Sequence, residues 1–337
     1  MSHANISVFV PHVGCPHMCS FCNQHTISGA QTLPHAKDVK EVCEKALREV
    51  KEPENTEIAF FGGSFTAVPA DYRRELLQAA ADYVGREKFA GIRISTRPDC
   101  IDEDILRELK SYRVTAIELG AQSLSDEVLI ANERGHSAEA VVRASELIKD
   151  FGFELGLQMM TGLYKSSRER DLETFEKILS LRPATLRIYP VVILKGTHLA
   201  ELYEAGKYCP PAFEEMTELC GDLLYKAHRA GVRVIKCGLH ASEFVEKDRV
   251  GGYYHPAFRE LCENRIYRKL TDQLLRENNI ERGRTEICVS PGAVSKAAGQ
   301  KRSNTEYFEK MGIRIKFKPC RDVGLYELRL SEVNKCI

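Results

Sequence analysis

Short apolar, β-branched runs alternate with stretches of helical spacing from the N-terminus to about residue 240, and this alternation constrains the fold more than any other feature. The runs ISVFV, EIAFFGG, GIRIST, TAIELGAQS, FELGLQMM, TLRIYPVVI and RVIKCGL read as strands. Between them AKDVKEVCEKALREV, ADYRRELLQAAADYV, IDEDILRELKSY, SAEAVVRASELIKD and SRERDLETFEKILSL place apolar residues three and four apart, as one face of a helix requires. Repeated strand then helix implies parallel strands joined by crossover helices, so the expected fold class is α/β, a partial or complete parallel (βα) barrel. Helix starts agree: Thr32 to Pro34, Pro69 with Asp71, and Pro98, Asp99 with Asp102 precede the helical stretches. EFVEKDRVGGYYHPAF, from Glu243, breaks the pattern. The expected division is therefore a barrel over 1–242 and a small basic α+β region over 253–337, built from FRELCENRIYRKLTDQLLREN, TEICVSP, AVSKAAGQKRSNTEYFEKM and IRIKFKP.

Barrels of this kind carry chemistry where the strands end. Every chemically unusual stretch of the chain falls there: the cysteine loop VGCPHMCSFCNQ after the first strand, GGSF after the second, STRPD after the third and GAQS after the fourth. Cys15, Cys19 and Cys22 sit within eight positions of one another. A structural zinc site takes four ligands, and no second Cys-x-x-Cys pair exists, although His12, His17 or His25 could complete one. A cubane iron–sulfur cluster on three thiolates instead leaves one iron open to a chelating substrate. The missing fourth ligand is then a functional feature.

The other nine cysteines are scattered singly through a chain whose first apolar run is short, so the sequence reads as that of a reducing, cytoplasmic protein without structural disulfides. No run approaches the roughly 18 apolar residues of a bilayer span, and 43% hydrophobic with 28% charged residues is ordinary for a folded soluble protein.

The three-cysteine spacing, with an aromatic before the last cysteine at Phe21, resembles the signature of the radical S-adenosylmethionine superfamily. FFGGSF resembles that family's second-strand glycine motif, with Ser64 where an acid is usual. STRPD, ELGAQS, NERGH, LQMMTGL and RIYPVVILKGTHL together look like the radical domain of the Elongator catalytic subunit and its short bacterial paralogues. The resemblance implies a 4Fe–4S cluster on Cys15, Cys19 and Cys22 with S-adenosyl-L-methionine on the open iron. Its reductive cleavage would give a 5′-deoxyadenosyl radical that abstracts hydrogen. It further implies cofactor contacts from Phe21, Gly62, Gly63, Gln122, Arg134, Met159, Met160 and Tyr189, with Gly62 and Gly63 letting the backbone approach the methionine amino group. Packing alone would also account for paired methionines in a strand, and an ion pair to Glu133 or Glu118 for Arg134. A single-electron donor such as flavodoxin or ferredoxin is an implied partner. No catalytic side chain is assigned.

Two departures bear on the substrate. The gap between the first two cysteines is shorter than in the Elongator subunit, and the residues after Gly252 are too few for its acetyltransferase domain. The chemistry is therefore better specified than its target. From Arg282 to Cys320 nine Lys or Arg face three Glu, on a chain with no net charge. This basic stretch, with SPGAVSKAAGQKRSN suited to phosphate and Tyr307 and Phe317 available for stacking, favours tRNA or another RNA as substrate. A small metabolite or cofactor is the alternative, and a noncatalytic iron–sulfur or zinc module the third reading.

Overall fold

The computed structural model describes residues 4–10, 15, 18–23 and 32–331. The chain forms two compact units. The first comprises 1–210, 232–236 and 240–254, and the second 211–231, 237–239 and 255–337.

The main sheet has seven strands: β1 (Ala4–Val10), β2 (Thr56–Gly62), β3 (Gly91–Thr96), β4 (Val114–Gln122), β5 (Glu154–Thr161), β6 (Thr185–Pro190) and, after the short β7 (Val192–Leu194), β8 (Arg233–Cys237). Their order is β1-β2-β3-β4-β5-β6-β8, each neighbour pair from β1 to β6 parallel and in chain order. The array is a partial (βα) barrel, because β1 and β8 remain its two ends. Short β9 (Arg249–Gly252) returns antiparallel onto β7. The stretch that broke the sequence pattern thus holds a helix, Glu243–Asp248, and this strand.

The helices start where their capping residues require. Asp102 accepts the Ile105 amide at 2.8 Å, Ser137 that of Ala140 at 3.2 Å and Ser167 that of Arg170 at 3.3 Å, each satisfying an otherwise unmet first-turn donor. Their apolar stripes bury Leu106 and Leu109, Val141 and Ile148, and Phe175 and Ile178.

The inner side of the barrel is polar. Arg93 is fully buried on β3 and donates to Glu57 of β2 at 2.6 Å and Glu154 of β5 at 2.6 Å, with Glu118 of β4 at 3.5 Å. Burial works against its charge, but Glu57, Glu154 and Glu118 outweigh it, and the guanidinium stays protonated. One layer higher, Arg187 of β6 grips Glu118 with two bonds of 2.5 and 2.9 Å and stacks over Phe61. Gly156 makes room for this arrangement: a Cβ there would lie 2.7 Å from Glu118 Cγ and 2.8 Å from Thr185 Oγ1.

The second unit packs helix Phe213–Arg229 on helix Phe258–Glu277. Their approach is close, since a Cβ at Gly221 would stand 3.0 Å from the Cys262 carbonyl oxygen. A three-stranded sheet follows, in the order β11-β10-β12, of β10 (Gly283–Val289), β11 (Ile313–Pro319) and β12 (Arg329–Leu330). The long helix-like stretch between β10 and β11 divides into helices Val294–Ala298 and Ser303–Lys310. Gly299, Lys301 and Arg302 take positive φ there, and a Cβ at Gly299 would meet Ser303 Oγ at 2.5 Å.

Two cysteine groupings correct the expectation of isolated thiols. Cys288 and Cys320 form a disulfide across 32 residues, because parallel β10 and β11 bring the ends of two sequence-distant strands together. Cys220, Cys237 and Cys262 also meet inside the second unit, where burial pushes the Cys262 thiol well up.

Candidate cofactor site at the strand ends

One pocket gathers the stretches that the sequence reading singled out. Cys15, Cys19, Phe21 and Cys22 line it from the loop after β1, Gly62, Gly63 and Ser64 from the end of β2, and Ser95, Thr96 and Arg97 from the end of β3. Gly120 and Gln122 of β4, Arg134, Gln158 of β5 and Met18 of the cysteine loop complete its lining.

The cysteine loop is fastened to the segment after β4. The Ser20 amide donates to the Asn132 carbonyl at 3.1 Å and its hydroxyl to Asn132 Oδ1 at 3.1 Å, while the amide of Leu199 donates to the Ser20 carbonyl at 2.7 Å. Asn132 is itself fully buried, its side-chain amide donating to the carbonyls of Val128 and Tyr164. Within the loop, the Cys22 amide closes a turn onto the Cys19 carbonyl at 3.0 Å.

Arg134 neither pairs with Glu133 nor with Glu118. It donates through Nη1 to Cys19 Sγ at 3.1 Å and through Nη2 to the Gly120 carbonyl, while Glu133 is taken by His198 Nδ1 at 2.7 Å. Arg97 holds this segment from below, bonding the Arg134 carbonyl at 2.7 Å and Asp99 in a two-point contact. His136 is buried beside them, and burial, reinforced by Arg134, brings its pKa down to about 4, so it is neutral at physiological pH.

Gln122 sits at a bulge of β4 with φ 62°, and its Oε1 is buried without a partner. Arg134 Nε and His136 Nε2 are likewise unmet. Buried polar atoms in this condition are costly, and two of these three residues, Gln122 and Arg134, line the pocket, which fits a polar ligand. Among the described residues no group of three or more His, Cys, Asp or Glu side chains is arranged to hold a single metal ion, the buried Cys220, Cys237 and Cys262 included. His12, His17 and His25, the candidate fourth zinc ligands, lie outside the described residues.

The glycine pair divides its work. Gly62 has φ 122° and a Cβ there would lie 2.7 Å from the Val10 carbonyl oxygen, so its lack of a side chain serves the β1–β2 crossing. The Gly63 amide is spent on the Val10 carbonyl at 2.9 Å. Ser64, in the place of the usual acid, is buried and shares a 2.8 Å hydrogen bond with Thr96 Oγ1 while accepting the Arg97 amide at 3.2 Å. It holds the ends of β2 and β3 together.

Met159, Met160 and Tyr189 are not among the lining residues. Met159 is fully buried, and Tyr189 lies in β6 beside Met160, its hydroxyl 3.5 Å from Arg187. Ser95, Thr96, Arg97 and Gln158 line the pocket without having been singled out individually. Gln158 bonds Ser95 Oγ at 3.1 Å and Glu118 Oε2 at 2.9 Å, which joins the pocket floor to the charged barrel interior. The available signal was alternation: Gln158 lies beside Arg187 in register, facing inward with it.

Comparison with known proteins agrees with this geometry. A family model described as the Radical SAM superfamily matches residues 9–178, half of the chain, and one described as the Radical_SAM C-terminal domain matches 183–268. The chain is 31% identical over 191 residues to Elongator complex protein 3 of Homo sapiens, covering 51% of this chain and 35% of that one. It is 28% identical over 194 residues to the tRNA uridine(34) acetyltransferase of Methanocaldococcus infernus, covering 51% and 36%. The matched region thus spans about a third of each of these relatives. Among solved structures, the archaeal Methanocaldococcus infernus Elp3 with an N-terminal deletion superposes with a TM-score of 0.56 at 22% identity, over 72% of this chain and 61% of that one. Streptococcus suis SuiB bound to S-adenosylmethionine shares the fold at a TM-score of 0.51 and 13% identity, over 72% and 52%.

Proposed function

Because the chain belongs to the Radical SAM superfamily and is by that membership a radical S-adenosylmethionine enzyme, we propose that its strand-end pocket holds a three-cysteine 4Fe–4S cluster with S-adenosylmethionine and directs the chemistry at tRNA or another RNA. The observation that carries the cofactor reading is the meeting of Cys15, Cys19 and Cys22 with Phe21, Gly62, Gly63, Gln122 and Arg134 in one pocket. When bound, the cluster and S-adenosylmethionine supply a 5′-deoxyadenosyl radical.

The residues around them bind, orient and insulate. Arg134, already hydrogen-bonded to Cys19 Sγ, places a fixed positive charge beside a cluster ligand, and its unmet Nε is free for a carboxylate. Gln122 Oε1 offers an acceptor to an amino or hydroxyl group. Phe21, buried between two cluster cysteines, keeps water from the site. Neutral His136 adds no competing charge. Gln158 and Ser95 present polar groups from the barrel wall, held by Glu118 and Arg187, where a substrate would project toward the cofactor.

RNA is the proposed substrate class on the strength of the basic second unit and of relatives named for tRNA and Elongator chemistry. A single-electron donor of the flavodoxin or ferredoxin type completes the proposed reaction partners.

Anaerobically reconstituted protein should bind about four irons per chain. It should release 5′-deoxyadenosine from S-adenosylmethionine once reduced, faster with tRNA present. Ala at Cys15, Cys19 or Cys22 should abolish both iron and product. Stoichiometric zinc without iron would overturn the cofactor assignment. Stimulation by a small-molecule extract, with none by tRNA, would move the substrate to the metabolite class.

A further inference from the structure

We propose that the exposed face of the β10–β11–β12 sheet is a docking surface for the phosphate backbone of RNA. This inference rests on the RNA reading above and adds where the chain would be held. The family models end at residue 268, so none of these strands falls within them.

Register fixes which side chains share the face. In the parallel β10–β11 pair Arg284 lies beside Arg314, Glu286 beside Lys316 and Cys288 beside Lys318, while Arg329 of β12 lies beside Cys288 from the other side. Alternation sends Thr285, Ile287, Ile313 and Ile315 to the opposite, buried face, against which helices Val294–Ala298 and Ser303–Lys310 pack. Five cations therefore project from one side of a small sheet.

Their neutralisation is incomplete. Glu286 is the one carboxylate on the strands of this face among the described residues, and it is shared by Lys316 and Lys318; Asp322 pairs with Arg329 at 2.7 Å. Arg284 and Arg314, both exposed, pair with no carboxylate among the described residues although they stand side by side. Like charges directly opposite in a sheet repel. An anion lying across both would remove that cost.

Edge protection alone would need charges only on the two edge strands, β11 and β12, whereas Arg284 carries the positive face onto the central strand β10. Alternate residues on a strand recur about every 6.8 Å. That repeat is close to the spacing of neighbouring phosphates on an extended nucleic-acid strand. Among the described residues the strands present no aromatic side chain on this face: Phe317 shares the buried side with Ile287, and Tyr307 sits on a helix under Arg268. The expected contact is therefore with phosphates and independent of sequence. An anionic membrane is the less suitable occupant, because among the described residues no apolar side chain of the three strands projects among these cations to enter a bilayer.

The test compares the 337-residue protein with the triple variant Arg284→Gln, Arg314→Gln, Lys316→Gln in tRNA filter binding across a salt series. A charge-matched control carries Arg229→Gln, Arg276→Gln and Lys310→Gln on the helices of the same unit. The wild-type protein should bind tRNA with a steep salt dependence, and the sheet variant should lose about two to three from the slope of log K against log salt. Its affinity at low salt should fall at least about tenfold, well beyond the control. Arg314→Gln alone, expected to lose about one from the slope, serves if the triple variant does not fold. Equal binding by sheet variant and control, with wild-type tRNA binding intact, overturns the docking surface and leaves the RNA reading standing. No tRNA binding by the wild-type protein overturns both. Sheet-dependent binding to phosphatidylserine vesicles without tRNA binding would reassign the face to a membrane.

Discussion

Gly62 and Arg134 show how differently single residues carry information. A glycine pair after a strand can serve a ligand or the backbone, and in this chain Gly62 serves the backbone, with φ 122° and the Val10 carbonyl where a Cβ would stand. Gly62→Ala should therefore destabilise the folded protein by about 1–3 kcal/mol, read as a lower urea midpoint even without any cofactor. An unchanged midpoint would mean that the β2 end relaxes freely. The cysteines and glycines of the pocket were legible because their chemistry and spacing are written locally. The resemblance pointed to Arg134 as a cofactor contact, but its bond to a cysteine was not legible: Glu133 and Glu118 offered an ion pair, yet the chain turns so that its guanidinium reaches Cys19, 115 residues away. Ser64 reads as a missing acid in sequence and proves to be a hydrogen-bonded link between two strand ends.

Among elements, strands and capped helices of the barrel matched the sequence pattern closely because period-2 and period-3.6 burial are local properties. GIRIST is β3 and IRIKFKP is β11 to the residue. The charges between the strands were less legible, since Glu57, Arg93, Glu118 and Glu154 lie on four strands and meet only when register aligns them. Arg93→Met removes the one cation that binds three carboxylates and should cost about 3–5 kcal/mol of stability, because uncompensated buried charge remains. Arg93→Lys should recover only part, as an ammonium cannot reach three partners at once. Matching urea midpoints for Arg93→Met and the parent protein would contradict the network. The split of the stretch between β10 and β11 at Gly299 to Arg302 was also hidden, because left-handed conformations at Lys301 and Arg302 have no marker in residue type.

Across the whole molecule, the cysteines separate into sets with different chemistry. Three serve the pocket loop, three meet inside the second unit, and Cys288 with Cys320 cross-links β10 to the end of β11. Closing a loop of this length is worth about 3–4 kcal/mol in the chain-entropy account. Cys288→Ser should therefore lower the unfolding midpoint under non-reducing conditions, a difference that dithiothreitol erases, and should leave iron content unchanged. A midpoint insensitive to both changes would show that the bond does not form in solution. No helix among the described residues is long and apolar enough to cross a membrane. By itself the sequence determined the alternating α/β architecture, the strand-end location of the candidate site and the three-thiol loop, because periodicity and short-range spacing are properties of neighbouring residues. Only the tertiary structure decided which residues share the pocket, which thiols pair and which face of the C-terminal sheet collects the positive charge, because each depends on register between segments far apart in the chain.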